Sequence, residues 1–191
     1  MSSTELVAEY LAERARPAVF VPLALLVAGT GSFVAPGPSL DPLSFAIRAA
    51  QALLLILALR VWDDVQDRAR DAMRHPRRVT VRARTLAPLV GLSAAFAATG
   101  ALWLLQASVP LLRFTIFAAV GLGLLVWYRV RPARPSRIAS AALLAKYPAL
   151  AILLAPDLGD LSPIRAAIGA GALYAIACTY EFMEDRFRGP S

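Results

Sequence analysis

The sequence holds one cysteine, one histidine and one lysine. A lone Cys178 excludes an intrachain disulfide and leaves no cysteine pair with metal-ligand spacing. A lone His75 excludes a histidine-rich site. Charge is scarce too. Only 17% of the 191 residues are charged, against about a quarter in a soluble domain. In place of charge there is apolar surface: 58% of residues are hydrophobic, and the mean hydropathy is +0.59. The excess lies in blocks long enough to cross a bilayer. The net charge of +7 comes from 19 arginines and Lys146 against 13 acids. The arginines sit between apolar blocks, so nucleic acid is not an expected partner. The lipid bilayer is.

Six apolar segments are predicted, at about 18–35, 43–62, 86–105, 109–128, 138–155 and 164–183. Pro36-Gly37-Pro38 marks the turn after the first. Residues 1–16 read as a short interfacial helix ending at Arg16-Pro17. Its acidic start, Glu5, Glu9 and Glu13, is unlike a cleavable signal peptide. Backbone groups in lipid must pair within their own segment, so each span must be a helix. The expected fold is all-α: a polytopic membrane helix bundle, residues 1–191 forming a single transmembrane domain.

Basic residues give the orientation. Arg14 and Arg16 precede the first span. Arg68, Arg70, Arg74, Arg77, Arg78, Arg82 and Arg84 follow the second. Arg129, Arg131, Arg134 and Arg137 follow the fourth, and Arg186 and Arg188 follow the sixth. The opposite loops hold only Arg113 and Arg165. The positive-inside rule then puts the N- and C-termini on the cytoplasmic side, and the expected location is the cell (inner) membrane.

Seven acids fall in two clusters at span ends. Asp63, Asp64, Asp67 and Asp71 close the second span; Glu181, Glu184 and Asp185 close the sixth. The topology, built from basic residues alone, puts both clusters on one side. In a continuing helix Asp64, Asp67 and Asp71 share a face, as do Glu181 and Asp185. Like charges stacked this way repel unless a cation neutralises them. Oxygen ligands without His or Cys suit Mg²⁺, which binds through carboxylates and substrate phosphates. Asp63, Asp64, Asp67, Asp71, Glu181 and Asp185 are therefore the candidate metal ligands. The plainer alternative is that acids at a span end simply sit in water.

Other residues carry two readings each. Arg74, Arg77 and Arg78 determine topology and also suit phosphate, which a guanidinium binds as a planar fork. Lys146 lies within a span, where an ionisable group faces a cavity or partner unless it snorkels. Arg48 and Gln51 are weaker cases. Trp62, Trp127, Tyr128 and Tyr180 fall at span ends, as an aromatic belt does.

The run Asp63-Asp64-Val65-Gln66-Asp67-Arg68-Ala69-Arg70-Asp71 resembles the first acidic motif of the UbiA superfamily of intramembrane prenyltransferases, with Asp63 where that motif has Asn. Arg60 before it and Arg74 to Arg78 after it are similar too. So are the ERARP before span one and Tyr128 with its following arginines. Tyr180-Glu181-Phe182-Met183-Glu184-Asp185 stands where the second motif would, led by Glu rather than Asp. Typical members have nine helices; the resemblance covers the first six. It implies a Mg²⁺-dependent transferase that ionises a prenyl diphosphate for transfer to a second, aromatic acceptor. Asp64 and Asp67 would be catalytic. Arg74 and Arg78 would bind the diphosphate; Lys146, from its place within a span, and Tyr180 are the other candidate substrate-binding residues. A terpene cyclase using the same ionisation is the alternative, as is a non-catalytic relative that acts as a membrane subunit, in a homo-oligomer or with a partner supplying further helices.

Overall fold

A computed structural model of the chain describes residues 2–35, 41–106, 109–131 and 137–187, with the side chains of 106, 137–139 and 184–187 excepted. All regular structure among them is helical. Helix α1 (Ser3–Arg14) starts at a capping box. The Ser2 hydroxyl accepts from the Glu5 amide at 3.2 Å, and the Glu5 carboxylate accepts from the Ser2 amide at 2.7 Å. Pro17 opens α2 (Pro17–Val34), and Pro42 opens α3 (Pro42–Gln66) behind an Asp41 cap. Two short helices follow, α4 (Arg68–Arg74) and α5 (Val79–Arg82). Next come α6 (Ala87–Leu102, tightening into a 3₁₀ turn to Gln106), α7 (Pro110–Val130), α8 (Arg137–Leu144), α9 (Lys146–Leu153) and α10 (Pro163–Phe187).

Among the described residues five helices are long and apolar enough to cross a membrane: α2, α3, α6 with its 3₁₀ turn, α7 and α10. The segment at 138–155, expected as one continuous span, is instead the broken pair α8 and α9. Pro148 is the cause. It has no N–H for the Leu144 carbonyl, and its ring crowds that oxygen. The helix stops at Leu144 and restarts at Lys146. Ala145 between them keeps right-handed helical dihedrals, and Ser140–Leu153 together make a shorter apolar helix than the others. Arg113 of α7 caps the far end of α9. It is buried, and its guanidinium donates to the carbonyls of Leu153, Ala155 (2.7 Å) and Pro156 (3.1 Å).

Two cores hold the bundle. The larger, around Phe20, Val27, Leu55, Ile56, Leu104, Leu150 and Leu173, joins α2, α3, α9 and α10. The smaller, Leu6, Tyr10, Val61, Val79, Ala83 and Leu89, seats α1 and α5 on α3 and α6 at one end of the bundle. Since lipid tails are as apolar as leucine, membrane helices gain by close approach and interhelical hydrogen bonds. Helices α3 and α6 show both. Gln51 donates to the Gly100 carbonyl at 2.9 Å, and Ser93 donates to the Ala58 carbonyl at 2.8 Å. Gln51 is thereby a packing residue.

Gly31 lets α2 meet α9. A Cβ there would lie 2.7 Å from the Ala151 carbonyl oxygen, a backbone atom that cannot turn aside. At Gly29 a Cβ would meet nothing within 4 Å. Gly31→Ala and Gly29→Ala gain the same helix propensity, so their difference isolates the clash. Gly31→Ala is expected to be less stable than Gly29→Ala by about 1–3 kcal/mol, the usual cost of overpacking. Denaturant titration in detergent measures the gap; equal midpoints would refute the close approach.

Candidate functional site

The charged residues converge at the end of the bundle where α1, α4 and α5 gather. Helix α3 delivers Asp63 and Asp64 there, and the helical path continues almost unbroken. The Asp67 amide bonds the Asp63 carbonyl, and the Asp71 amide bonds the Asp67 carbonyl, both at 2.8 Å. The shared face expected of Asp64, Asp67 and Asp71 is therefore close to the backbone path found. Their side chains do not share an occupant. Successive helical positions point about 100° apart, so Asp63 and Asp64 face different neighbours.

Asp63 receives the Lys146 ammonium from α9 and the Tyr128 hydroxyl from α7, one on each oxygen. Asp64 takes a two-pronged contact from Arg14 at 2.8 and 3.0 Å, a bond from Tyr10 at 2.9 Å, and Arg60 one turn back at 3.4 Å. Asp67 lies 2.7 Å from Arg131, whose guanidinium stacks on Tyr128 at 4.4 Å, and 3.8 Å from Arg70. Asp71 meets Arg78 at 2.5 Å. Asp64 is only 4% exposed and Lys146 only 5%. Burial, and then the charge on Asp64, push the Tyr10 hydroxyl well above its ordinary pKa, which keeps it a donor. Burial likewise raises the Asp67 carboxyl, against the pull of Arg131.

The basic segment after α3 is tied down in the same manner. Arg68 donates to the Ala83 carbonyl at 2.5 Å, Arg82 pairs with Glu9, and Glu13 accepts the Val79 amide at 3.2 Å. Arg74 is exposed in the last turn of α4, away from this network.

A cavity of about 250 Å³ opens beside the network. Glu13, Arg14, Arg16, Arg60, Tyr147, Tyr180 and Glu181 form its polar end. Phe20, Leu23, Leu26, Leu144, Ile176 and Ala177 form its apolar wall. Leu26 and Ile176 are 42% and 48% exposed, so the trough opens sideways toward lipid. Arg60 lines the trough, and its Nε is buried with no hydrogen-bond acceptor. A buried unmatched donor is costly, and an anionic oxygen is the acceptor a guanidinium favours.

Of the residues singled out by sequence, Tyr180 and Glu181 line the trough. Lys146 and Arg78 face carboxylates instead. The Asp185 side chain lies outside the described residues, as does that of Glu184. Among the described residues no three His, Cys, Asp or Glu groups come together. Two carboxylate oxygens lack a hydrogen-bond donor, Asp67 Oδ1 and Asp71 Oδ2, but arginines stand 2.7 and 2.5 Å from those same two carboxylates. So the four aspartates, as arranged, do not fit a Mg²⁺ centre. Sequence reasoning left Arg14, Arg16, Arg60, Tyr10 and Tyr147 out of the site. A signal existed for most of them. Tyr10 and Arg14 share a face of α1 at i, i+4, as Arg60 and Asp64 do on α3. No protein-family model, curated protein or solved structure gives a significant match to this chain.

Proposed function

We propose that this chain is an intramembrane enzyme acting on a prenyl diphosphate, with its charged end cytoplasmic. One observation carries the reading: a laterally open apolar trough ends in a polar cluster where Arg14, Arg16 and Arg60 stand beside Glu13 and Glu181, and Arg60 Nε has no acceptor. An amphiphile with an anionic head and a hydrocarbon tail suits that shape. Its tail lies along α2 and α10, entering from the bilayer between Leu26 and Ile176. Its diphosphate reaches the arginines. Ionisation then breaks the bond between the allylic carbon and the bridging oxygen. The electron pair leaves with the diphosphate, and the arginine N–H groups stabilise the charge gathering there. Glu181, Tyr147 and Tyr180 present oxygens near the carbon that becomes positive. Transfer to an aromatic acceptor is the reaction the resemblance implies; product analysis separates it from cyclisation.

The test is diphosphate release from a panel of prenyl diphosphates by the detergent-purified chain in Mg²⁺-containing buffer. Release is expected, and Arg60→Gln should lower it about 10- to 100-fold, the worth of a hydrogen bond to a charged group. The variant's melting transition gives the folding control. A folded wild-type protein that neither binds nor releases any member of the panel would overturn the reading.

A further inference from the structure

We infer that the anionic head is held by the arginines directly, with no divalent cation between it and the protein. The aspartates of α3 and α4 are then positioning residues for cations rather than metal ligands. The inference rests on the trough binding a diphosphate amphiphile, as proposed above.

Three observations lead to it. The first is charge. Four carboxylates, Asp63, Asp64, Asp67 and Asp71, face six cations, Arg14, Arg60, Arg70, Arg78, Arg131 and Lys146. Each of these carboxylates therefore already has a cation for a partner, and a divalent ion would have to displace a guanidinium or ammonium group to reach it.

The second is where those cations come from. Arg14 belongs to α1, Arg131 follows α7, and Lys146 opens α9. A metal taking Asp63, Asp64 and Asp67 would strip away the pairs that fasten these three segments to α3. Each released cation would also have to find another partner, since a buried charge without one is strongly unfavourable.

The third is the free donor. Asp64 stands 3.4 Å from Arg60 Nη2, and the buried Nε of Arg60, a residue of the trough lining, has no acceptor. Arg16 stands exposed at the same mouth. The carboxylates thus hold the arginines in place, and the arginines keep donors for the ligand. Their planar N–H pairs match phosphoryl oxygens geometrically as well as in charge.

The experiment uses the full chain in detergent. The probe is a prenyl thiodiphosphate, whose bridging sulfur slows ionisation. Calorimetry gives its affinity with Mg²⁺ and then with a chelator. The two values are expected to agree within about threefold, under 1 kcal/mol. Arg60→Gln should weaken binding about tenfold or more in both buffers. Arg16→Gln, at an exposed position that leaves the ion-pair network untouched, should weaken it in both as well. Binding that appears only with Mg²⁺ would overturn the inference and leave the proposed function standing. No binding in either buffer would overturn both. A second readout needs no ligand. Mn²⁺ added to the protein alone should keep its free-ion magnetic resonance spectrum. A bound Mn²⁺ signal that disappears in Asp67→Asn would assign the aspartates to metal and overturn the inference.

Discussion

Lys146→Met is expected to cost the folded protein roughly 3–5 kcal/mol, the usual penalty for removing one partner of a buried ion pair. Lys146 and Asp63 are both buried, and the ammonium sits on one carboxylate oxygen while Tyr128 sits on the other. Methionine matches the length of the lysine stem, so packing changes little. What remains is an Asp63 carboxylate at the membrane boundary with one neutral donor. The carboxylate also links α9 and α7 to α3, so its loss of charge balance reaches three elements. The double variant Lys146→Met with Asp63→Leu removes both charges. It should recover most of the loss, because a buried pair exchanged for apolar groups is often neutral. Chemical denaturation of the single and double variants in one detergent measures this. A single variant as stable as wild type would mean that the pair does not hold α9.

Asp64→Ala is the second large effect, also roughly 3–5 kcal/mol. The carboxylate gathers Arg14, Tyr10 and Arg60, and its removal leaves two guanidinium groups without the acceptor that holds them together. Helix α1 depends on this contact, since Tyr10 and Arg14 point the same way and Leu6 supplies the rest of its buried face. The loss should therefore be local first, as elements with few anchors open before the core does. Limited proteolysis is expected to cut the variant near Arg14 and Arg16 while α3 and α6 stay protected. Asp64→Asn keeps an oxygen acceptor for Tyr10 and Arg14 and should fall between wild type and Ala. A metal-ligand role predicts another pattern: unchanged proteolysis, with both variants losing divalent-cation binding equally.

These two variants also show how far the sequence could be read. Apolar blocks and scarce charge were enough to require a helical membrane bundle, because unpaired backbone cannot sit in lipid. The rhythm of Asp64, Asp67 and Asp71 correctly described a nearly continuous helical path past the end of α3. The arginines on alternate loops pointed to one shared end, and α1, α4, α5 and the ends of α3 and α7 do meet there. Pro148 was visible too, yet apolar residues on both sides of it read as a single span. Hydropathy averages over a window, whereas one missing N–H acts at one turn.

What the sequence alone determined, then, is what periodicity and composition can encode: the class of fold, the apolar blocks long enough for membrane helices and the end of the bundle where charge collects. What only the tertiary structure decided is which charge meets which. Asp63 finds its cation 83 residues away, and Asp64 finds Arg14 at a distance of 50. A helical repeat says which face a carboxylate occupies but not what the next element brings to that face. That choice is made when helices pack, because a buried charge is stable only beside the partner that packing delivers. The trough follows the same rule. Its polar end and its apolar wall come from α1, α2, α3, α8, α9 and α10, and no single one of them contains the site.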